Sequence, residues 1–365
     1  PSHVLPLAAP GAARKALRSL LTPNSPFSIK PRFDLALWSW LFRFARRCNV
    51  GDMLEAGHAL RALLNSSRQL YVEILRDEAI DCEFEERGML NVFLGRQSMQ
   101  KTVEESRLLH ETFGVPSELV EGDALQTVEP ALKPGLAGAI IYPMDAHLRP
   151  DRLLAGWRQV LERRGVEIRE GCALKGFVAN RNRAQAAATT QGELQAEAFI
   201  VATGAWTPFL REHLGCPIPM QPGKGYSITM PRPARCPSRP LSFAEHRVAV
   251  TPMRTGYRLG STMEFAGYDT SLNRRRLQLL MEGARPYLQE PFGEPIQEEW
   301  YGWRPMTYDG KPLIDRSPAL ANVWIAAGHN MLGVAMAPAT GKLIAELLHD
   351  ETPHVDPKPF SVKRF

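Results

Sequence analysis

The segment NVWIAAGHNMLGVAMAPATGKLIAELL, residues 322–348, decides how the rest of the chain is read. It opens with an apolar run of strand length, closes with residues at helical spacing, and turns between the two at Gly328 and Gly333. A buried strand that runs through a glycine turn into a helix is the unit from which α/β layers are built. Without a Cβ the turn lets backbone approach a flat ligand, and the helix start presents unpaired N–H groups to it. A tight strand-to-helix connection with no ligand explains the segment equally well.

Moving outward, EAFIVATGAWTPFL (197–210) repeats the pattern, with a buried strand over 198–202, a glycine turn and a helix through Trp206 to His213. Small residues after the strand let a ligand lie against Ala202, Thr203 and Gly204, although an ordinary strand-to-helix turn reads the same way. Between Gly225 and Gly267 the pattern becomes short and alternating, in GYSITM, RVAVTP and GYRLGSTMEF, which predicts antiparallel strands of a second domain. The loop YGWRPMTYDGKPLID (301–315) follows a helix expected over 271–288. Its Arg304 is a candidate carboxylate clamp, because a guanidinium fork grips a carboxylate through two parallel hydrogen bonds. A lone arginine is also an ordinary surface residue.

Toward the N-terminus, apolar spacing predicts two helices between Phe33 and Asp77, broken near Asn49. The first, LALWSWLFRF, is aromatic and ends in Arg46 and Arg47, which suits a membrane surface as well as packing within its own domain. A strand follows over 88–94, then a helix over 98–113 closed by Gly114, a strand over 139–142, a helix led by Pro150 and a strand over 166–169.

With 365 residues, 44 % of them apolar, the chain has material for a large core or two moderate ones. The net charge of +5 is spread along the whole length, weak support for a nucleic acid or an anionic membrane as partner. Five widely separated cysteines with no Cys-x-x-Cys pair, no signal-peptide pattern and no apolar run of about 18 residues predict reduced thiols in a cytoplasmic protein, possible peripheral contact with the inner membrane aside. There is no Ser/His/Asp or Cys/His set for nucleophilic catalysis, so no side chain is singled out as catalytic, and no metal-ligand cluster.

In their order along the chain these segments resemble the FAD-dependent D-amino-acid oxidase and dehydrogenase family. PSHVLPLAAPG (1–11) and SPFSIKPR (25–32) are similar to the bacterial D-amino-acid dehydrogenase branch just after its first flavin-binding unit. YPMDAHLRPDRLL (142–154) looks like its Asp-x-x-x-x-Pro lead into a helix, and VATGAW (201–206) like its second flavin motif. GWRPMTYDGKPLI (302–314) looks like its Gly-x-Arg-Pro loop, and GHNMLGVAMAPATG (328–341) like its C-terminal flavin motif.

The resemblance implies an α/β fold with an FAD-binding Rossmann-like domain and an α+β, antiparallel-sheet substrate domain. Residues 1–80, 143–218 and 301–365 would belong to the first, and 81–142 and 219–300 to the second. It implies FAD as cofactor and hydride transfer from the Cα of a D-amino acid or cyclic imino acid, giving an imino acid that hydrolyses to a 2-oxo acid and ammonia. Electrons would pass to a quinone or other acceptor. A glycine- or sarcosine-type amine oxidase using oxygen is the close alternative.

Carried over, Arg304 would bind the substrate carboxylate, with Tyr226, Tyr257 and His3 as further pocket candidates. Gly328, His329, Met331, Leu332 and Gly333 would border the flavin ring, and Ala202, Thr203, Gly204, Trp206 and Gly302 would lie beside the cofactor. The backbone at Leu174 would face adenine.

The family's Gly-x-Gly-x-x-Gly fingerprint, which seats the pyrophosphate against a helix start, is not in this sequence. Opening at Pro1 without a methionine, the sequence reads as the inside of a longer protein, and such a piece is expected to expose sheet edges and to aggregate. A non-catalytic binding protein on the same scaffold is the other reading of that absence.

Overall fold

A computed structural model of the chain describes residues 2–20, 25–30 and 32–365. Pro1 and Pro31, which belong to the opening motifs, lie outside them. The N-terminal third contains α1 (Ala12–Leu20), β1 (Phe27–Ile29), α2 (Leu35–Arg47), α3 (Val50–Asp77), β2 (Met89–Phe93), α4 (Arg96–Phe113), β3 (Glu118–Glu121) and α5 (Ala124–Val128). The middle contains β4 (Gly138–Tyr142), α6 (Pro150–Arg163), β5 (Leu174–Asn180), β6 (Arg183–Thr189), β7 (Gly192–Gln195), β8 (Phe199–Val201), α7 (Arg211–Leu214) and β9 (Met220–Met230). Then come β10 (Leu241–Phe243), β11 (Val248–Met253), β12 (Gly256–Phe265), α8 (Arg274–Ala284), β13 (Glu298–Thr307), β14 (Leu313–Arg316), β15 (Val323–Ala327) and α9 (Gly333–Leu348).

The alternating runs form one nine-stranded sheet, ordered β13-β9-β12-β11-β10-β2-β4-β3, with β1 alongside β12. Directly paired residues share a face and successive residues alternate. On one face Tyr226, Ile228, Met230, Tyr257 and Leu259 pack with Leu277, Leu280 and Ala284 of α8 into the main core. On the other, Met263, Phe265 and Met306 pack with Leu37, Trp40 and Phe44 of α2, and Trp40 Nε1 donates to the Met306 carbonyl at 3.0 Å.

A second, three-stranded sheet, β14-β15-β8, has β8 parallel to β15 and is followed in each case by a glycine turn. The meander β5-β6-β7 stands beside it. Long α3 is the main support of α9, joined in a core containing Leu60, Leu63, Met336, Ala339 and Leu343. Proline at position 338 cannot donate to the carbonyl of Val334, and the phenol of Tyr71 on α3 takes that acceptor at 2.6 Å.

The break at Asn49 is a helix cap, its side chain accepting from Asp52 N–H, and Gly114 closes α4 in a left-handed conformation. Several expectations are corrected. Residues 166–169 form no strand, because no described strand lies beside them to complete a ladder. The helix expected through 206–213 is a 3-10 turn over Gly204–Leu210 followed by the single turn α7, since Pro208 supplies no N–H for α-helical bonding. The helix expected from 271 starts at Arg274, where the Asn273 side chain caps it. Strand β13 runs unbroken across 300/301, and β1 pairs with β12 in the large sheet.

Candidate active site

Parallel pairing of β8 with β15 sets Val201 beside Ile325, so the turns leaving both strands emerge at the same end of the small sheet. Antiparallel β14 places Leu313 opposite Ala327 and brings the 307–311 turn to that end as well. Ala202–Gly204, Gly328–Gly333 and the loop after Arg304 therefore converge at the carboxyl ends of the parallel strands, where open α/β sheets bind ligands.

Each turn is shaped for close approach. Gly204 has φ +55° with nothing within 4 Å of a built Cβ, and Gly328 has φ +74° with a Cβ position only 2.8 Å from Leu313 and Thr307. Asn330, at φ 53°, accepts from Thr307 N–H at 2.9 Å and donates to the carbonyls of Gly310 and Gly328 at 2.9 and 3.0 Å. Asp309 in the same turn pairs with Arg364 at 2.7 Å, and Lys311 with Glu55 at 2.5 Å. No side chain caps the start of α9, which leaves its first N–H groups without that partner, and Trp206, Met331 and Val334 are half-exposed. His329 hydrogen-bonds to Thr340 Oγ1 at 3.0 Å, and burial pushes its pKa down to about 4, leaving it neutral at pH 7. The result is a cross-bonded rim whose charges are paired with one another.

Arg304 pairs in register with Gly223, and Gly302 with Gly225. The guanidinium lies against Gly225, where a Cβ would fall on its carbon and both terminal nitrogens. Nη1 donates to the Thr262 carbonyl at 2.8 Å, and no described carboxylate forms an ion pair with it. The residue keeps some solvent exposure, yet its charged end sits deep enough for burial to push its pKa down to about 10. A buried cation lacking an anionic partner is costly, and an external carboxylate corrects it. Trp300 bounds the same face, its ring 2.9 Å from a Cβ built on Gly302.

The other predicted residues divide. Tyr226 and Tyr257 lie on the opposite face of the sheet, inside the main core, with Tyr226 donating to Glu264 at 2.6 Å, so they are packing residues. His3 is exposed and bonded to Ser2, which is anchored on Asp145 by its N–H at 2.7 Å. Leu174 opens β5 in the meander, at an irregularity in its pairing. Trp206 packs edge-on against Trp303 with centroids 5.4 Å apart, tying the turn after β8 to the strand of Arg304. Residue type alone does not single out Asn330 or Thr262; an asparagine after Gly-His, at home in left-handed backbone, is the signal the sequence carries for the first.

The sequence profile of the FAD dependent oxidoreductase (DAO) family matches residues 29–347. The chain is 29 % identical to a D-amino acid dehydrogenase of Granulibacter bethesdensis, over all of this chain and 88 % of that protein. It is 30 % identical to one of Bradyrhizobium diazoefficiens, over all of this chain and 87 % of that protein. Among solved structures, glycine oxidase from Geobacillus kaustophilus superposes with a TM-score of 0.76 at 23 % identity, covering 83 % of this chain and 82 % of that one. An L-proline dehydrogenase from P. horikoshii gives 0.72 at 21 % identity, covering 84 % and 83 %.

Proposed function

Because the chain belongs to the FAD-dependent oxidoreductase family, we propose that it oxidatively deaminates D-amino acids or cyclic imino acids and passes the electrons to a quinone or similar acceptor. Bound FAD supplies the acceptor for the hydride that leaves the substrate Cα. The observation that carries the substrate class is Arg304, a cation with no described carboxylate partner, set on a glycine floor near the converging turns. Its free N–H groups grip the substrate carboxylate and fix Cα. Gly328, His329, Met331, Leu332 and Gly333 would border the flavin ring, Ala202, Thr203, Gly204, Trp206 and Gly302 would flank it, and Leu174 would lie on the adenine side. His3 approaches from the opening segment. The neutral imidazole of His329 adds no positive charge that would repel the clamp. The deprotonated substrate amine becomes an iminium as the hydride departs, and water converts this to a 2-oxo acid and ammonia or, for a cyclic imino acid, opens the ring to a 2-oxo acid that keeps its nitrogen as an amine.

The acceptor reading rests on α2. Its inner side is packed on the sheet that carries Arg304, while Leu35, Trp38 and Phe42 on its outer side are exposed by 89, 50 and 63 %, next to Phe33. Arg46 stands over the Phe42 ring at 6.0 Å. Apolar surface on both sides of a helix needs two covers, and a membrane surface with arginines at the headgroups is the second. No helix among the described residues is long and apolar enough to cross a membrane.

The test is the visible spectrum of the purified chain after incubation with FAD and desalting, followed without oxygen. Bleaching of a retained flavin by a D-amino or cyclic imino acid is the expected result. A retained flavin that none of them bleaches overturns the substrate class, and rapid peroxide formation in air overturns the quinone as acceptor.

A further inference from the structure

Arg304 does not simply project from its strand. It starts opposite Gly223 on β9, its guanidinium lies over Gly225 of the same strand, and its Nη1 ends on the carbonyl of Thr262 on β12. The side chain thus crosses β9 entirely. Two local features make the crossing possible. One is the missing Cβ at Gly225, a residue whose φ does not require glycine. The other is a break in the β9–β12 ladder, where the register shifts between Ser261 and Glu264.

At that break Ser261 and Thr262 have φ of 114° and 52°. Left-handed backbone at a β-branched residue is rare, and such strain costs roughly 1–3 kcal/mol per residue. Thr262 is buried, and its Oγ1 has no hydrogen-bond partner. A strained bulge with an unsatisfied hydroxyl is poor for stability, and bulges of this kind re-aim groups next to active sites. Here the re-aimed group is the Thr262 carbonyl.

We infer that Thr262 and Gly225 are positioning residues for the substrate clamp, together holding the Arg304 guanidinium across β9 with one N–H engaged and the others open to a carboxylate. The inference rests on the reading of Arg304 as that clamp. One bond to a backbone carbonyl fixes the plane of the fork, and the bare Cα beneath fixes its height. A fork so held loses little freedom when a carboxylate arrives.

The test uses the full chain equilibrated with FAD and titrates propionate calorimetrically, with propionamide as the neutral control. Gly225→Ala displaces the fork and is expected to weaken propionate binding by roughly tenfold or more, since small misplacements of such groups are costly. Thr262→Pro locks φ near −65°, turns the carbonyl away from the guanidinium and should weaken propionate similarly, whereas Thr262→Gly accepts φ 52° without strain, keeps the carbonyl in place and should bind propionate as the wild type does while the thermal midpoint holds or rises. Thr262→Asn, also tolerant of left-handed backbone, should likewise keep binding. In turnover, KM should rise more than kcat in both weakened variants. Wild-type affinity for propionate in Thr262→Pro or Gly225→Ala overturns the inference, as does affinity lost in Thr262→Gly, which decides it if the other two do not fold. Propionate binding lost on Arg304→Gln, with no D-amino acid oxidised, leaves the positioning intact and removes the proposed function. Flavin bleaching by D-alanine with no propionate binding does the reverse.

Discussion

The phenol of Tyr71 donates to the carbonyl of Val334, the one acceptor in the first turns of α9 that Pro338 leaves without its helical partner. Ser67 adds a second repair, its Oγ accepting from Ala339 N–H at 3.1 Å. A helix that starts at the candidate cofactor site thus takes part of its bonding from its neighbour. Tyr71→Phe should lower stability by about 1–3 kcal/mol, the cost of an unsatisfied buried acceptor. In a Pro338→Ala background the same change should cost clearly less, because the backbone then supplies the bond. Denaturant melts of the four chains measure the coupling, and equal costs in both backgrounds would refute it.

Asn330 combines a left-handed backbone with the bonds that join the two turns. Replacing it by glycine keeps the conformation and removes the bonds, and alanine removes both. The expected order of thermal midpoints is wild type, then Asn330→Gly, then Asn330→Ala, with the last step worth about 1 kcal/mol or more. Glycine and alanine variants that melt together would show that the backbone conformation matters little.

His329 gives the fold an acid sensitivity. Burial lowers its folded-state pKa from 6.5 to about 4, so between those values the unfolded chain binds the extra proton. Stability should therefore fall as pH drops from about 6.5 to about 4, by an amount on the order of 3 kcal/mol from this group, and level off below. His329→Gln should flatten that limb of the pH–stability curve while leaving the limb above pH 7 unchanged.

The outer side of α2 predicts lipid binding. Sedimentation with vesicles containing anionic lipid should pull down the wild-type chain, and Trp38→Ser with Phe42→Ser should reduce the bound fraction several-fold, each losing roughly 1.5–3 kcal/mol of apolar burial. A salt dependence without any effect of these two substitutions would assign the binding to charge alone.

Much of this was legible from local patterns. The glycine turns at 204 and 328, the cap at Asn49, the stop at Gly114 and the proline-led α6 are decided within a few residues, and each appears where the sequence places it. What was hidden depends on partners far along the chain. Tyr226 and Tyr257 sit in strands as expected, but which face they occupy follows from pairing with β13, and that pairing carries them into the core. Residues 166–169 have a strand's composition and no described neighbour to pair with. The bulge at Thr262 lacks the glycine or asparagine that usually announces left-handed backbone, so only three-dimensional register reveals it.

Strand β13 also works as a gauge. Arg304, the Pro305 carbonyl that accepts from Asn330, the Met306 carbonyl that accepts from Trp40, and the Thr307 N–H that donates to Asn330 are successive residues on one covalent strip. The span from clamp to turn is about 10 Å of extended chain at ~3.3 Å per residue, with no joint in it. A substrate whose carboxylate Arg304 held, as proposed, would have a fixed allowance on this side. Accommodation of bulk is pushed toward Gly302 and Trp300, and any insertion or deletion between 304 and 307 would change the allowance in whole-residue steps rather than adjust it.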